Sequence, residues 1–265
     1  MAERARWPLR LAAVCYVGVL VALPVGLVLW RTGEQGVGAF FSAIGSADAV
    51  HAYRLTLIVA GCAVVLNTVF GVGAALLLAR YRFAGKALLN AIIDLPVSVS
   101  PIVVGLALIL VYGARTGWLG PLLSDVGFQV IFATPGMVLA TAFVSLPLVV
   151  REVLPVLQQV GDEQEQAARS LGANTLTRLR RVTLPTIKWA LAYGVVLSLA
   201  RCLGEFGAVR VVSGNVIGKT QTVTLLVDEQ AEQFEPGYYQ LSVVLLAVAA
   251  VCIVVISLVK PKENR

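Results

Sequence analysis

Two groups of residues in this 265-residue chain have types and spacings suited to chemistry. In the first, Arg201 and Glu205 stand four apart in an otherwise apolar stretch, with Ser198 three residues and Gly194 seven residues before Arg201. Helical periodicity puts them on one face, where a cation and a carboxylate at this spacing pair. Ionisable groups inside an apolar helix are costly and face a cavity or another polar group. Two readings stand. The pair is self-neutralising and structural, or the stripe of Ser198, Arg201 and Glu205 lines a path. In the second reading the planar guanidinium suits an oxyanion, and Glu205 keeps the hold weak enough for release.

The second group lies in the polar stretch 151–188, between two apolar runs. Asp162, Glu163 and Glu165 fall near the start of an expected helix, where carboxylates complement the positive end of the helix dipole. Ala167, Ala168 and Leu171 give that helix a small, partly apolar face. Gly172 ends it or permits a sharp turn. Residues 175–182 suit a second short helix, basic through Arg178, Arg180 and Arg181, and Pro185 then resets the direction. Such a knuckle fits a groove on a soluble partner; the plain alternative is a solvated loop.

Other chemistries find little support. His51 is the single histidine. Cys15, Cys62, Cys202 and Cys252 all lie in apolar runs without C-x-x-C or Cys/His spacing, so neither a metal site nor a disulfide is expected. A membrane enzyme would need a nucleophile–base pair or a metal cluster. A passive anchor would leave the Arg201–Glu205 stripe without a use. Residues 213–220 nearly match the phosphate-binding G-x4-G-K-[ST] loop, but Ser213 replaces its first glycine and no strand–loop–helix setting is expected there.

The elements that must position these groups are membrane helices. The chain is 58% hydrophobic and 14% charged, against about a quarter charged in a soluble domain. Predominantly apolar runs long enough to span a bilayer, about 20 residues each, occur six times: near 11–30, 55–79, 91–112, 130–150, 189–209 and 241–259, the third holding Asp94 and the fifth Arg201 and Glu205. The first run is longer than a signal-peptide core and has no A-x-A site, so it is expected to remain as a span. The fold class is therefore an all-α membrane protein of six transmembrane helices, one domain over 1–265, in the cytoplasmic membrane. The net charge of +6 would suit nucleic acid, but its distribution argues otherwise. With the N-terminus inside, 15 of 21 basic residues fall on inner segments, among them Arg4, Arg6, Arg10, Arg80, Arg82, Lys86, Lys260, Lys262 and Arg265. That asymmetry puts both termini in the cytoplasm, and no nucleic-acid partner is expected.

Finer features follow. Asp94, Pro96 and Pro101 open the third span, which predicts an interrupted or bent helix there, with Asp94 as a cap and Ser98 or Ser100 satisfying freed backbone groups. Gly61, Gly71 and Gly73 suit close packing of the second span. Gly204 and Gly207 suit close helix contact at a subunit interface. A short interfacial helix is expected in the outer segment 31–54.

The pattern A-A-x3-G-x9-V-x-L-P, carried by Ala167, Ala168, Gly172, Val182, Leu184 and Pro185, resembles the EAA loop of permease subunits of ATP-binding-cassette importers. Gln166 stands where that pattern has glutamate, and Glu165 is about 100° away around a helix. From Asn67 to Leu226 the chain is similar to the sulfate/thiosulfate permeases of bacterial importers. The segments carrying this are Asn67 to Gly73, Ile93 to Pro96 with Ser98 and Pro101, Arg181 to Pro185, and Ala200 to Ala208 running into Val211 to Gly214. Molybdate permeases share the R-x-x-G-E-F-G core and remain the alternative; the V-V-S-G extension and I-D-L-P look more like the W-type sulfate subunit. The resemblance implies a type I importer permease fold. It implies docking of a cytoplasmic ATPase on Glu165, Gln166, Ala167, Ala168, Gly172, Leu184 and Pro185. It also implies a T-type permease partner, two ATPase copies, an external sulfate-binding protein, and no resident cofactor.

Overall fold

The computed structural model describes residues 2–259, and the side chains of residues 2–6, 8, 9 and 259 are outside that description. The inner-side placement expected for the Arg4, Arg6, Lys260, Lys262 and Arg265 side chains lies outside the described residues.

Among the described residues the regular structure is all helical. α1 (Ala2–Val17) and α2 (Leu23–Glu34) form one apolar rod through a π-helical turn at Gly18–Ala22. The short α3 (Gly36–Ile44) follows, as expected for the outer segment. α4 (Ala47–Arg80) starts under a cap in which Ser46 Oγ accepts the Ala49 amide at 3.2 Å. Its 34 residues span about 51 Å at 1.5 Å per residue, well beyond the roughly 30 Å of a hydrocarbon core.

The third span is two helices, α5 (Lys86–Ser98) and α6 (Pro101–Tyr112), bent by 117° at the break. The prolines act as expected, but the caps do not. Asp94 pairs with Arg151 instead of capping (Arg151 Nε to Asp94 Oδ1 2.7 Å), and the Ser100 side chain makes no cap hydrogen bond. A guanidinium within reach offers the carboxylate a stronger, charge-assisted contact than a backbone amide does.

α7 (Gly120–Asp125) is a short helix, and α8 (Thr134–Val160) runs ten residues past the expected end of the fourth span. Next come α9 (Glu163–Ser170), α10 (Thr175–Arg178), a π-helical turn (Leu179–Thr183) and α11 (Leu184–Leu203). Residues Thr175–Leu203 act as one continuous rod. Pro185 therefore does not redirect the chain. In the π turn the Leu184 amide reaches back five residues to Leu179 O, and the proline follows in the first turn of α11. The expected fifth span, 189–209, ends early at Leu203; Gly204 closes α11, and α12 (Gly207–Ser213) is a separate helix. α13 (Val223–Glu232) and α14 (Gly237–Val259) complete the fold. Among the described residues five helices are long and apolar enough to cross a membrane, or six with the bent pair as one span.

α8 sits at the centre, between α4 and α11. The fit depends on two glycines that meet the same residue. A methyl on Gly71 of α4 would fall 3.0 Å from Val149 Cγ1, and one on Gly194 of α11 would fall 3.2 Å from Val149 Cα. Small residues here let the backbones approach. Gly61 and Gly73, expected to do the same, meet nothing within 4 Å. Deeper in the same seam, Asn67 Nδ2 donates to Ser145 Oγ at 2.7 Å, Ser145 Oγ donates to Thr141 O at 2.7 Å, and Cys202 Sγ lies 3.2 Å from Ser145 Oγ. These buried polar groups link α4, α8 and α11, so none relies on water.

Candidate functional site

Arg201 and Glu205 meet, though not within one helix. Arg201 ends α11, Gly204 breaks it, and Glu205 reaches across the break. Glu205 Oε1 accepts the Ala208 amide at 3.0 Å, which caps α12. Its Oε2 lies 2.8 Å from Arg201 Nη1, yet the guanidinium is off the line of N–H donation and Oε2 has no hydrogen-bond partner. The contact is therefore Coulombic. Glu205's side chain is 2% exposed and Arg201's 39%, so the cation looks outward from a buried carboxylate.

Ser198 is wholly buried. It lies on α11 between Gly194, which packs on Val149, and Cys202, which meets Ser145. That face of α11 thus rests on α8, whereas Arg201 turns away from it. The expected single stripe is split into a packing face and one outward cation.

The break beside Glu205 meets the break between α5 and α6. A methyl on Gly207 would fall 3.1 Å from Pro101 Cβ, and one on Gly105 would fall 3.0 Å from Ala208 O and 2.7 Å from Val211 Cβ. Gly207 therefore makes a close contact within the chain. Two interrupted helices thus cross at their interruptions, and the N-terminus of α12 there is already met by the Glu205 carboxylate. The paired prolines pointed to the first break; the second was missed because Glu205 was read as a helical i, i+4 partner.

In the loop 151–188, α9 ends as the spacing predicts. Gly172 has φ +81°, its amide donates to Arg169 O at 3.0 Å, and the Ala173 amide donates to Ala168 O at 3.0 Å. This pair of bonds is a Schellman motif. Asn174 caps α10, accepting the Thr177 amide at 2.8 Å. Around the turn, Leu171 is 88% exposed and Leu176 61%. Gln166 and Ala167 are exposed and Ala168 half-buried. Leu184 packs inward against the cluster containing Leu157 and Ile187, and Pro185 is exposed. An open cleft of about 540 Å³ beside Gln166 is lined by Arg80, Tyr81, Arg169, Thr175 and Arg178 among others.

Glu165 also lines this cleft and is held in its wall. Its carboxylate accepts from Arg80 (Nε 3.3 Å, Nη2 3.2 Å) and from Thr183 Oγ1 (3.0 Å). Arg80 and Thr183 were not singled out in the sequence. An arginine at the end of a span looks like an ordinary positive-inside anchor, and no local spacing ties position 80 to position 165.

Residues 213–220 form a closed turn. The amide of Val216 donates to Thr220 Oγ1, and those of Lys219, Thr220 and Gln221 all donate to Val216 O. These amides are bonded within the turn, and the following helix starts only at Val223.

The sequence matches the family described as "Binding-protein-dependent transport system inner membrane component" over residues 67–261. It is 46% identical over 254 residues to the sulfate transport system permease protein CysW of Synechococcus elongatus, covering 96% of this chain and 88% of that protein. It is 34% identical over 254 residues to the sulfate transport system permease protein CysT of Salmonella typhimurium, covering 96% and 91%. Among solved structures, a chain of a bacterial ABC transporter that imports the acidic polysaccharide alginate superposes with a TM-score of 0.80 at 15% identity, covering 100% of this chain and 97% of that one. At that identity the likeness concerns the fold.

Proposed function

The chain belongs to the family of binding-protein-dependent transport system inner membrane components, and we propose from this that it is the W-type permease subunit of an importer for sulfate and thiosulfate. The observation that carries the reading is the 46% identity to a CysW protein along 96% of the chain. The names of the relatives favour sulfate over molybdate or tungstate, the alternative left open by the shared R-x-x-G-E-F-G core.

In this reading the whole chain is one permease domain with both termini in the cytoplasm. It pairs with a T-type permease subunit. Two copies of a cytoplasmic ATPase bind the pair from below, and a sulfate-binding protein delivers the anion from outside. The chain has no nucleotide site of its own. Gln166, Ala167, Ala168, Leu171 and Gly172 face the ATPase, with Leu184 and Pro185 fixing the base of the loop and Glu165 acting from its inner side. ATP-driven closure of the ATPase moves the loop, and the two bundles rock between inward and outward openings. Arg201 meets the dianion at the crossing of the two broken helices, Glu205 limits the strength of that contact, and Ser198 supports α11 from behind.

Purification of the chain from its native membrane tests this. The expected result is recovery with a T-type permease and an ATPase, and ATP hydrolysis that rises when sulfate-loaded binding protein is added. Recovery as a lone chain would remove the importer reading. Stimulation by molybdate-loaded but not sulfate-loaded protein would replace the substrate.

A further inference from the structure

We propose that the ion pair between Arg80 and Glu165 is the strut that carries movement of the docking loop into the membrane helices. This rests on the reading of that loop as the ATPase contact, and it assigns Glu165 to transmission and not to docking.

The need for a strut follows from how α9 is hung. Gly161 precedes it at φ +71° and Gly172 follows it at φ +81°. Neither position has any atom within 4 Å of where a side chain would begin. An eight-residue helix held by two such open joints would swivel when pushed, and the push would be lost. A third attachment is required, and Glu165, in the first turn of α9, provides it.

The attachment reaches three membrane helices through one carboxylate. Arg80 is the last residue of α4 and grips Glu165 with two nitrogens, in the fork geometry that fixes direction as well as distance. The same guanidinium donates through Nη1 to Leu157 O of α8 at 2.8 Å. Thr183, the third partner of the carboxylate, ends the π turn that runs into α11. α4, α8 and α11 form the centre of the bundle, so displacement of α9 moves them together.

The setting suits a mechanical contact. The two side chains are 13% and 18% exposed, against 54% and 48% for the surface pair Arg31–Glu34. Sheltered charges interact through a lower effective dielectric and are screened less by salt. The next residue, Gln166, is turned about 100° round the helix and exposed. α9 therefore presents one face to a partner and sets the other against the strut.

The test uses the complete complex, reconstituted with its ATPase and binding protein in liposomes. Two quantities are followed: ATP hydrolysed and radiolabelled sulfate taken up. With Glu165→Ala or Arg80→Ala, the ATPase is expected to stay bound in unchanged amount. The ATP spent per sulfate should rise about tenfold, within the usual range of coupling between sites. The double variant should lose clearly less than the sum of the two single losses, because both changes remove the same contact. Arg80→Lys should give an intermediate ratio. Glu165→Gln keeps an acceptor for Thr183 and the side-chain volume, so it should insert normally and still uncouple. Additive losses in the double variant would overturn the strut. So would loss of ATPase from Glu165→Ala but not from Arg80→Ala, since Glu165 would then touch the partner directly. Failure of the unmodified complex to bind an ATPase is seen before any variant is made, and it would remove the docking reading and the strut with it.

Discussion

Arg201 Nη1 stands 2.8 Å from Glu205 Oε2, and the backbone between them is broken. α11 stops at Leu203, so the contact joins the end of one helix to the cap of the next. The carboxylate has two duties, one towards the Arg201 cation and one towards the Ala208 amide.

Replacing Arg201 with alanine leaves Glu205 buried beside a single amide. Breaking one side of a buried pair costs about 3–5 kcal/mol; partial exposure of Arg201 puts the expected loss at the lower end. Replacing Glu205 should cost more than the ion pair alone, because α12 also loses its cap, worth about 1 kcal/mol. If Arg201 meets the anion, Arg201→Met with Glu205→Gln should insert and fold while taking up sulfate poorly. Uptake normalised to inserted protein decides, and near-normal uptake would leave the pair purely structural.

The turn at Gly172 should tolerate no branched side chain. Gly172→Val forces a β-branched residue to φ +81°, at about 1–3 kcal/mol of local strain, and should misplace Leu171. Leu171→Asp keeps the backbone but removes the most exposed apolar side chain of the loop. Both variants should reach the membrane normally and capture the ATPase roughly tenfold or more weakly, as loss of an interface anchor does. Full ATPase capture by Leu171→Asp would move the docking contact elsewhere.

Orientation can be read with single cysteines. Glu34→Cys and Glu232→Cys should react with an impermeant maleimide applied outside intact cells, and Thr177→Cys should react only after permeabilisation. The opposite pattern would invert the topology and carry the loop away from any ATPase.

Gly71→Leu and Gly194→Leu should each destabilise the bundle by about 1–3 kcal/mol through overpacking, with Gly194→Leu the worse. Gly71 meets a side chain that has some freedom, whereas Gly194 meets the Val149 backbone. Thermal unfolding in detergent, scored by aggregation, ranks them.

Much of the architecture was legible because bilayers impose simple rules. Uninterrupted apolar length marked the spans, Pro96 and Pro101 marked the bend, and Gly172 marked the loop turn. What escaped was long-range or depended on a local irregularity. Arg80 to Glu165 joins residues 85 apart, and nothing in either neighbourhood announces the other. The continuous rod Thr175–Leu203 was hidden by Pro185, whose usual effect is to break a helix. Asp94 was read as a cap because its partner, Arg151, lies 57 positions away.

The π turn at Leu179–Thr183 has a consequence for insertions and deletions. An α-helix that loses one residue rotates everything beyond the loss by about 100°. A π turn already holds one surplus residue per turn, so removing one there restores ordinary winding and leaves both flanks facing as before. A single deletion within 179–182 should therefore keep the loop aimed at its partner, while a deletion near Val195 should spin it away; ATPase capture by the two deletants tells them apart. The rod can thus lose one residue at this turn without losing its aim.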